Sequence, residues 1–146
     1  MQALEKTLWG TMKANLDRHL GGAVHYQRIE TGSTGRGIPD INIKSKVGYG
    51  DAWVELKVVH GNRVEMRPEQ VAWHVRRAGV GGRTFILARE QKDGPRTGKV
   101  DRLYLWEGGR AIEVAERGIG APAQVWQAPF DWLAIFQAMG LAVRVP

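Results

Sequence analysis

Two short segments of this chain alternate apolar and polar residues with a period of two, and a glycine-bounded turn joins them. In residues 39–44, Ile41 and Ile43 fall on one side and Asp40, Asn42 and Lys44 on the other. In residues 52–59, Val54, Leu56 and Val58 share one side while Trp53, Glu55 and Lys57 share the other. That period marks half-buried strands. Gly48-Tyr49-Gly50 between them reads as a turn, so the pair is an antiparallel hairpin. A turn centred between Val47 and Gly48 sets Asp40 directly opposite Glu55, with Cβ atoms about 4.5–5.5 Å apart. Two carboxylates at that spacing repel unless a cation lies between them. Both sit on the polar face, away from Ile41, Ile43, Val54, Leu56 and Val58, which sets them apart from the apolar core.

The remaining pattern fills in around this hairpin. Leu4, Leu8, Met12, Leu16 and Leu20 recur every fourth residue and make a helical stripe that stops at Gly21-Gly22. Residues 24–29 read as a strand, and 31–37 as a loop rich in Gly, Ser and Thr. Pro68 and Glu69 open a helix that runs to about Ala78 and stops at Gly79. Its apolar stripe is Val71, Val75 and Ala78, while Gln70, His74 and Arg77 share another face. Residues 84–88 form a short apolar strand, 90–99 a polar loop, and 102–106 with 111–114 a second hairpin. A last helix spans 130–139. The predicted order, αβββαβββα, makes one α/β domain over residues 1–146, a central mixed β-sheet flanked by helices.

Composition narrows the function classes. No apolar run approaches the ~20 residues of a membrane span, and the first residues lack the layout of a secretory leader, so a cytoplasmic protein is expected. Without cysteine there is neither a thiolate metal site nor a cysteine nucleophile. The net charge is +6, carried by 14 Arg and 7 Lys against 15 acids. A basic, arginine-rich surface is the footprint of a phosphate binder. The Gly-rich loop has neither a Walker pattern nor a dinucleotide fingerprint, so no nucleotide cofactor is expected.

Mg²⁺ suits the paired carboxylates. It takes oxygen ligands, keeps several waters, and binds through one or two carboxylates plus substrate phosphate. The expected ligands are Asp40, Glu55 and the Leu56 main-chain carbonyl, with Mn²⁺ as a substitute metal. Lys57 projects from the same face as Glu55, where it can orient water or stabilise developing charge.

Asp40, Glu55 and Lys57, in the settings Gly37-Ile-Pro-Asp40 and Glu55-Leu-Lys57, resemble the PD-(D/E)XK nuclease superfamily. The finer pattern, over residues 5 to about 90, resembles archaeal-type Holliday-junction resolvases and small virus-type replication-repair nucleases. The resemblance implies a restriction-endonuclease-like fold. It implies that Glu5, the acid on the first helix, joins the catalytic set and the metal ligands. It implies that Gln70, followed by Trp73, holds a metal water or a phosphate oxygen. It also places Ser33 and Thr34 in a loop over the DNA.

The activity so implied is Mg²⁺-dependent, structure-selective DNA cleavage, with paired nicks in four-way junctions by a homodimer. Flap, nicking or restriction-type cleavage on the same fold is the alternative, and a non-catalytic basic binding module a weaker one. The expected DNA contacts are Arg28, Ser33, Thr34, Arg36, Arg63, Arg67, His74 and Arg77. Trp126, Phe130, Trp132 and Phe136 cluster near the C-terminus, where they close the core or meet a second subunit.

Overall fold

A computed structural model describes residues 2–30 and 36–143 of the chain. Helix α1 (Ala3–Leu20) leads into strand β1 (Val24–Arg28), followed by β2 (Ile41–Ser45) and β3 (Gly50–Val58). Helix α2 (Pro68–Gly79) crosses to β4 (Thr84–Gly94), which turns into β5 (Gly98–Glu107). Helix α3 (Ala111–Arg117), strand β6 (Gln124–Gln127) and helix α4 (Trp132–Ala138) follow. These strands lie in sequence order across one sheet. Among the described residues only β3 and β4 pair in parallel, through α2; the other neighbours are antiparallel. The expected α/β class and mixed central sheet flanked by helices are present.

The β2–β3 hairpin has the register that its turn requires. Ile41 faces Val54, Asn42 faces Trp53 and Ile43 faces Ala52. Side-chain alternation then gives the sheet two buried faces. Ile41, Ile43, Val54, Leu56, Phe85 and Leu87 pack against Leu8, Met12 and Leu16 of α1 and Trp132 and Phe136 of α4. On the opposite face Ile86, Ala88, Tyr104 and Trp106 meet α3 and, in part, Val71 and Val75 of α2. Trp126 and Phe130 pack against the first cluster, so the C-terminal aromatics close the core of this chain.

Three expectations fail in the second half of the chain. Residues 90–99 are not a loop: β4 and β5 form one long hairpin, with Gly94 opposite Gly98. Past the end of β3 this ribbon has few apolar neighbours, so its sequence is polar and loop-like. Residues 111–114 are not a strand but the start of α3. Ala111 and Val114 are buried at helical spacing, and Arg110 and Arg117 bracket Glu113 with ion pairs on the outer side. The fourth antiparallel partner is instead β6, a short and mostly exposed edge strand. The order is therefore αβββαββαβα.

Gly37, shortly before β2, sits tight against α2. Its φ is +76°, and a Cβ there would lie 2.0 Å from the Glu69 carbonyl oxygen in the first turn of α2. Gly10, in the middle of α1, has nothing within 4 Å of a Cβ. The two glycines should therefore respond oppositely to alanine. Gly37→Ala is expected to cost on the order of 3 kcal/mol, from left-handed backbone strain and overpacking. Gly10→Ala is expected to add about 1 kcal/mol through helix propensity. Denaturant unfolding of both variants checks the signs; a neutral Gly37→Ala would contradict the close approach of this segment to α2.

Candidate active site

The β2 ladder ends at Ile41, while β3 runs on for four more residues beside β4. The space left beyond the end of β2 is a cleft of about 420 Å³. Its walls are Gln2 and Glu5 from the start of α1, Asp40, the outer part of β3 with Glu55, Lys57 and Val58, His60, Glu65 and Arg67 from the link between β3 and α2, and Gln70 in the first turn of α2. All five residues expected in the catalytic set (Glu5, Asp40, Glu55, Lys57 and Gln70) thus line one cleft. Two helix N-termini border it, an arrangement that favours anions.

Asp40 lies one residue before the ladder, not within a cross-strand pair as the register alone suggested. Its carbonyl accepts the Ile29 N–H at 2.6 Å. Its carboxylate Oδ2 accepts the Leu56 N–H at 2.8 Å, which sets it beside Glu55. Both N–H and C=O of one strand residue leave on the same side. The Leu56 carbonyl therefore also faces the space past the end of β2.

Glu55 departs from expectation in its surroundings. The polar face of the hairpin is roofed by α2, and Glu55 is 2% exposed. Its Oε1 is buried without a hydrogen-bond partner. Burial raises its carboxyl well above the usual carboxylate range, and the hydrogen bond and charge of Asp40 push the same way; the Lys57 ammonium opposes them.

Lys57 donates from Nζ to Gln70 Oε1 at 3.0 Å, and the Arg67 N–H donates to the same oxygen at 3.0 Å. Gln70 is itself buried. Its carbonyl oxygen is thus spent on capping α2 and on holding Lys57, which makes Gln70 a positioning residue for the lysine. Glu5 faces the cleft, but its Oε2 accepts the Gln2 N–H at 2.9 Å and caps its own helix.

A divalent cation fits the donors present. Asp40 and Glu55 offer adjacent carboxylates, and the unpartnered Glu55 Oε1 is the buried lone pair such an ion would satisfy. Among the described residues no three His, Asp or Glu side chains are close enough to form a protein cage. Glu5 is therefore not brought in as a third ligand. A two-carboxylate site completed by water matches Mg²⁺ better than a site needing a full protein cage.

The expected DNA contacts scatter. Arg67 is exposed and lines the cleft. Arg28 pairs with Glu30 at 3.3 Å, and Arg36 and Arg63 are exposed; none of the three lines the cleft. Ser33 and Thr34 lie outside the described residues. Arg77 lies over the rings of Trp73 and Trp53. His74 is a correction. It is fully buried, its Nδ1 pairs with Thr84 Oγ1 at 2.7 Å, and burial lowers its pKa to about 4, so it contacts no DNA and is neutral at neutral pH. The inward side of α2 is its polar side, carrying Gln70 and His74. His60, Glu65 and Gln2 join the cleft without a sequence expectation. The signal for His60 and Glu65 is Gly61-Asn62, a two-residue turn that pairs His60 with Arg63 and folds the chain back over the cleft.

The raised Glu55 carboxyl has a consequence for stability. The folded chain holds that proton more tightly than the unfolded chain does. The stabilisation is complete below the ordinary carboxylate range and is lost as pH rises through the folded value. Glu55→Gln mimics the protonated form. With divalent cations chelated it should unfold less readily than wild type at high pH, and the gap should close as pH falls below the value at which the buried Glu55 takes up its proton. Unfolding curves across pH test this; parallel pH profiles for the two proteins would contradict it.

No protein-family model matches the chain, and no curated protein matches it in sequence. Among solved structures the chain is similar to a Holliday junction resolvase from the archaeal hyperthermophile Archaeoglobus fulgidus. The two share 14% identity at a TM-score of 0.43, over 82% of this chain and 88% of that one. A likeness of this size carries no argument about the reaction.

Proposed function

We propose that the chain is a divalent-metal-dependent deoxyribonuclease that hydrolyses phosphodiester bonds in branched DNA. The observation that carries this reading is the pairing of Asp40 with the buried Glu55, whose Oε1 has no hydrogen-bond partner, in a cleft that they share with Lys57 and two helix N-termini. Pure nucleic-acid binding has no use for paired carboxylates facing phosphate. The motif resemblance of residues 37–57 and 70–73 supports the same reading.

The roles follow from position. Asp40, Glu55 and the Leu56 carbonyl would hold Mg²⁺ or Mn²⁺. When bound, such an ion polarises the phosphate and makes water a nucleophile near neutral pH. Lys57, fixed by Gln70, presents its ammonium to the charge that develops on the phosphate. Arg67 and the first turns of α1 and α2 receive the phosphate oxygens. Four-way junctions are the substrate class favoured by the resemblance. Two opposed strands must then be nicked, so a homodimer is part of the proposal.

Asp40→Asn keeps the hydrogen bond from Leu56 within reach of its amide oxygen but removes the charge. Cleavage of a synthetic four-way junction with Mg²⁺ is expected to fall at least ~10³-fold, since one member of a coupled catalytic set is lost. Junction binding in chelator should persist. Wild type should give paired, symmetric nicks and sediment as a dimer at micromolar concentration. Full activity of Asp40→Asn would sink the site; equal cleavage of linear duplex would point to a restriction-type enzyme on the same site.

A further inference from the structure

Arg77 is held more firmly than a surface arginine without a partner has reason to be. It lies seven residues after Gln70 on α2, about 10 Å further along the helix. Its guanidinium carbon lies 4.6 Å from the centroid of the Trp73 ring and 5.6 Å from that of Trp53. The two indoles contact each other, with centroids 5.4 Å apart, and neither belongs to either buried apolar cluster. The stem of Arg77 runs against Gly82, where a Cβ would come within 2.3 Å of its Cδ. Two aromatic rings and a glycine groove thus fix one cation. Among the described residues that cation has no carboxylate within ion-pair distance, and none of its guanidinium nitrogens is a buried atom lacking a partner.

A guanidinium stacked on aromatic faces keeps its N–H edges free and oriented, which is the geometry that takes a phosphate in a bidentate grip. The cluster lies on the face of the sheet that carries Glu55 and Lys57, beside the cleft rather than in its lining. Trp53 precedes Glu55 by two residues on the same face of β3 and pairs with Asn42, two residues beyond Asp40. We infer that Arg77, clamped by Trp53, Trp73 and Gly82, is a preset contact for a backbone phosphate of the DNA strand that occupies the cleft. This rests on the nuclease reading above. The separation of about 10 Å from Gln70 corresponds to roughly three nucleotide steps of a stacked strand.

The test is DNA binding by fluorescence anisotropy, in chelator and across a range of salt, on a labelled four-way junction. Arg77→Met keeps an unbranched stem in the Gly82 groove and removes the charge. It is expected to weaken binding about tenfold and to lower the salt slope by about 1, with a melting temperature close to wild type. Gly82→Ala leaves every charge in place and displaces the stem; it should weaken binding by roughly threefold, a fraction of the charge-assisted contact. Unchanged affinity and slope in Arg77→Met would overturn the inference, whatever its melting temperature. If that happens while wild type still cleaves junctions, only this contact falls. If wild type neither binds DNA with a salt dependence nor cleaves it, the nuclease reading falls and takes the contact with it.

Discussion

A carboxylate that is 2% exposed, set against a second carboxylate, is the constraint around which this structure is arranged. Like charges at hydrogen-bond range in a desolvated place are unstable unless a proton or a cation intervenes. The fold nevertheless holds the pair together with several independent devices. The β2–β3 register brings Asp40 to the end of the ladder, and the Leu56 N–H donates to its Oδ2. Gly37 itself packs against the first turn of α2, and α2 in turn lies over the strand face that carries Glu55. Structure spent on keeping two acids adjacent is structure spent on what they bind.

The distribution of charge follows the same logic. The chain carries a surplus of +6, yet the cleft is lined by Glu5, Asp40, Glu55 and Glu65 against only Lys57 and Arg67 among the described residues. The overall charge draws a polyanion to the surface, and the acidic cleft admits a metal. Lys57 sits two residues from Glu55 on the same strand, and Gln70 keeps it from collapsing onto the acids by taking its ammonium at 3.0 Å.

Much of the core of this arrangement is legible in the sequence because strand alternation is a strong signal. Ile41, Ile43, Val54 and Leu56 define one face and the turn at Gly48 fixes the pairing, so the residue pattern alone brings Asp40 and Glu55 together. The depth of Glu55 is not legible. Alternation separates polar from apolar faces but does not show that a polar face is roofed. The roof itself, Gln70 and His74 on α2, is polar and reads as a face turned to metal water and DNA rather than one packed inward. The same ambiguity hides the β4–β5 ribbon, whose far end is polar because little packs on it, and turns the start of α3 into a strand. Glu5 illustrates the opposite case: the resemblance points to its place in the cleft, while its engagement with the Gln2 N–H is a local capping interaction that no motif records.

The claim at the centre of this account is that Asp40 and Glu55 together hold a divalent cation in place of a proton. Calorimetric titration with Mn²⁺, run in two buffers of different ionisation enthalpy, measures binding and proton release together. Wild type should bind the ion and release a proton in mild acid, where the buried Glu55 still holds one. Asp40→Asn and Glu55→Gln should each lose most of the affinity, and Glu55→Gln should lose the proton release as well. Equal Mn²⁺ binding by all three proteins, with no proton released, would contradict it.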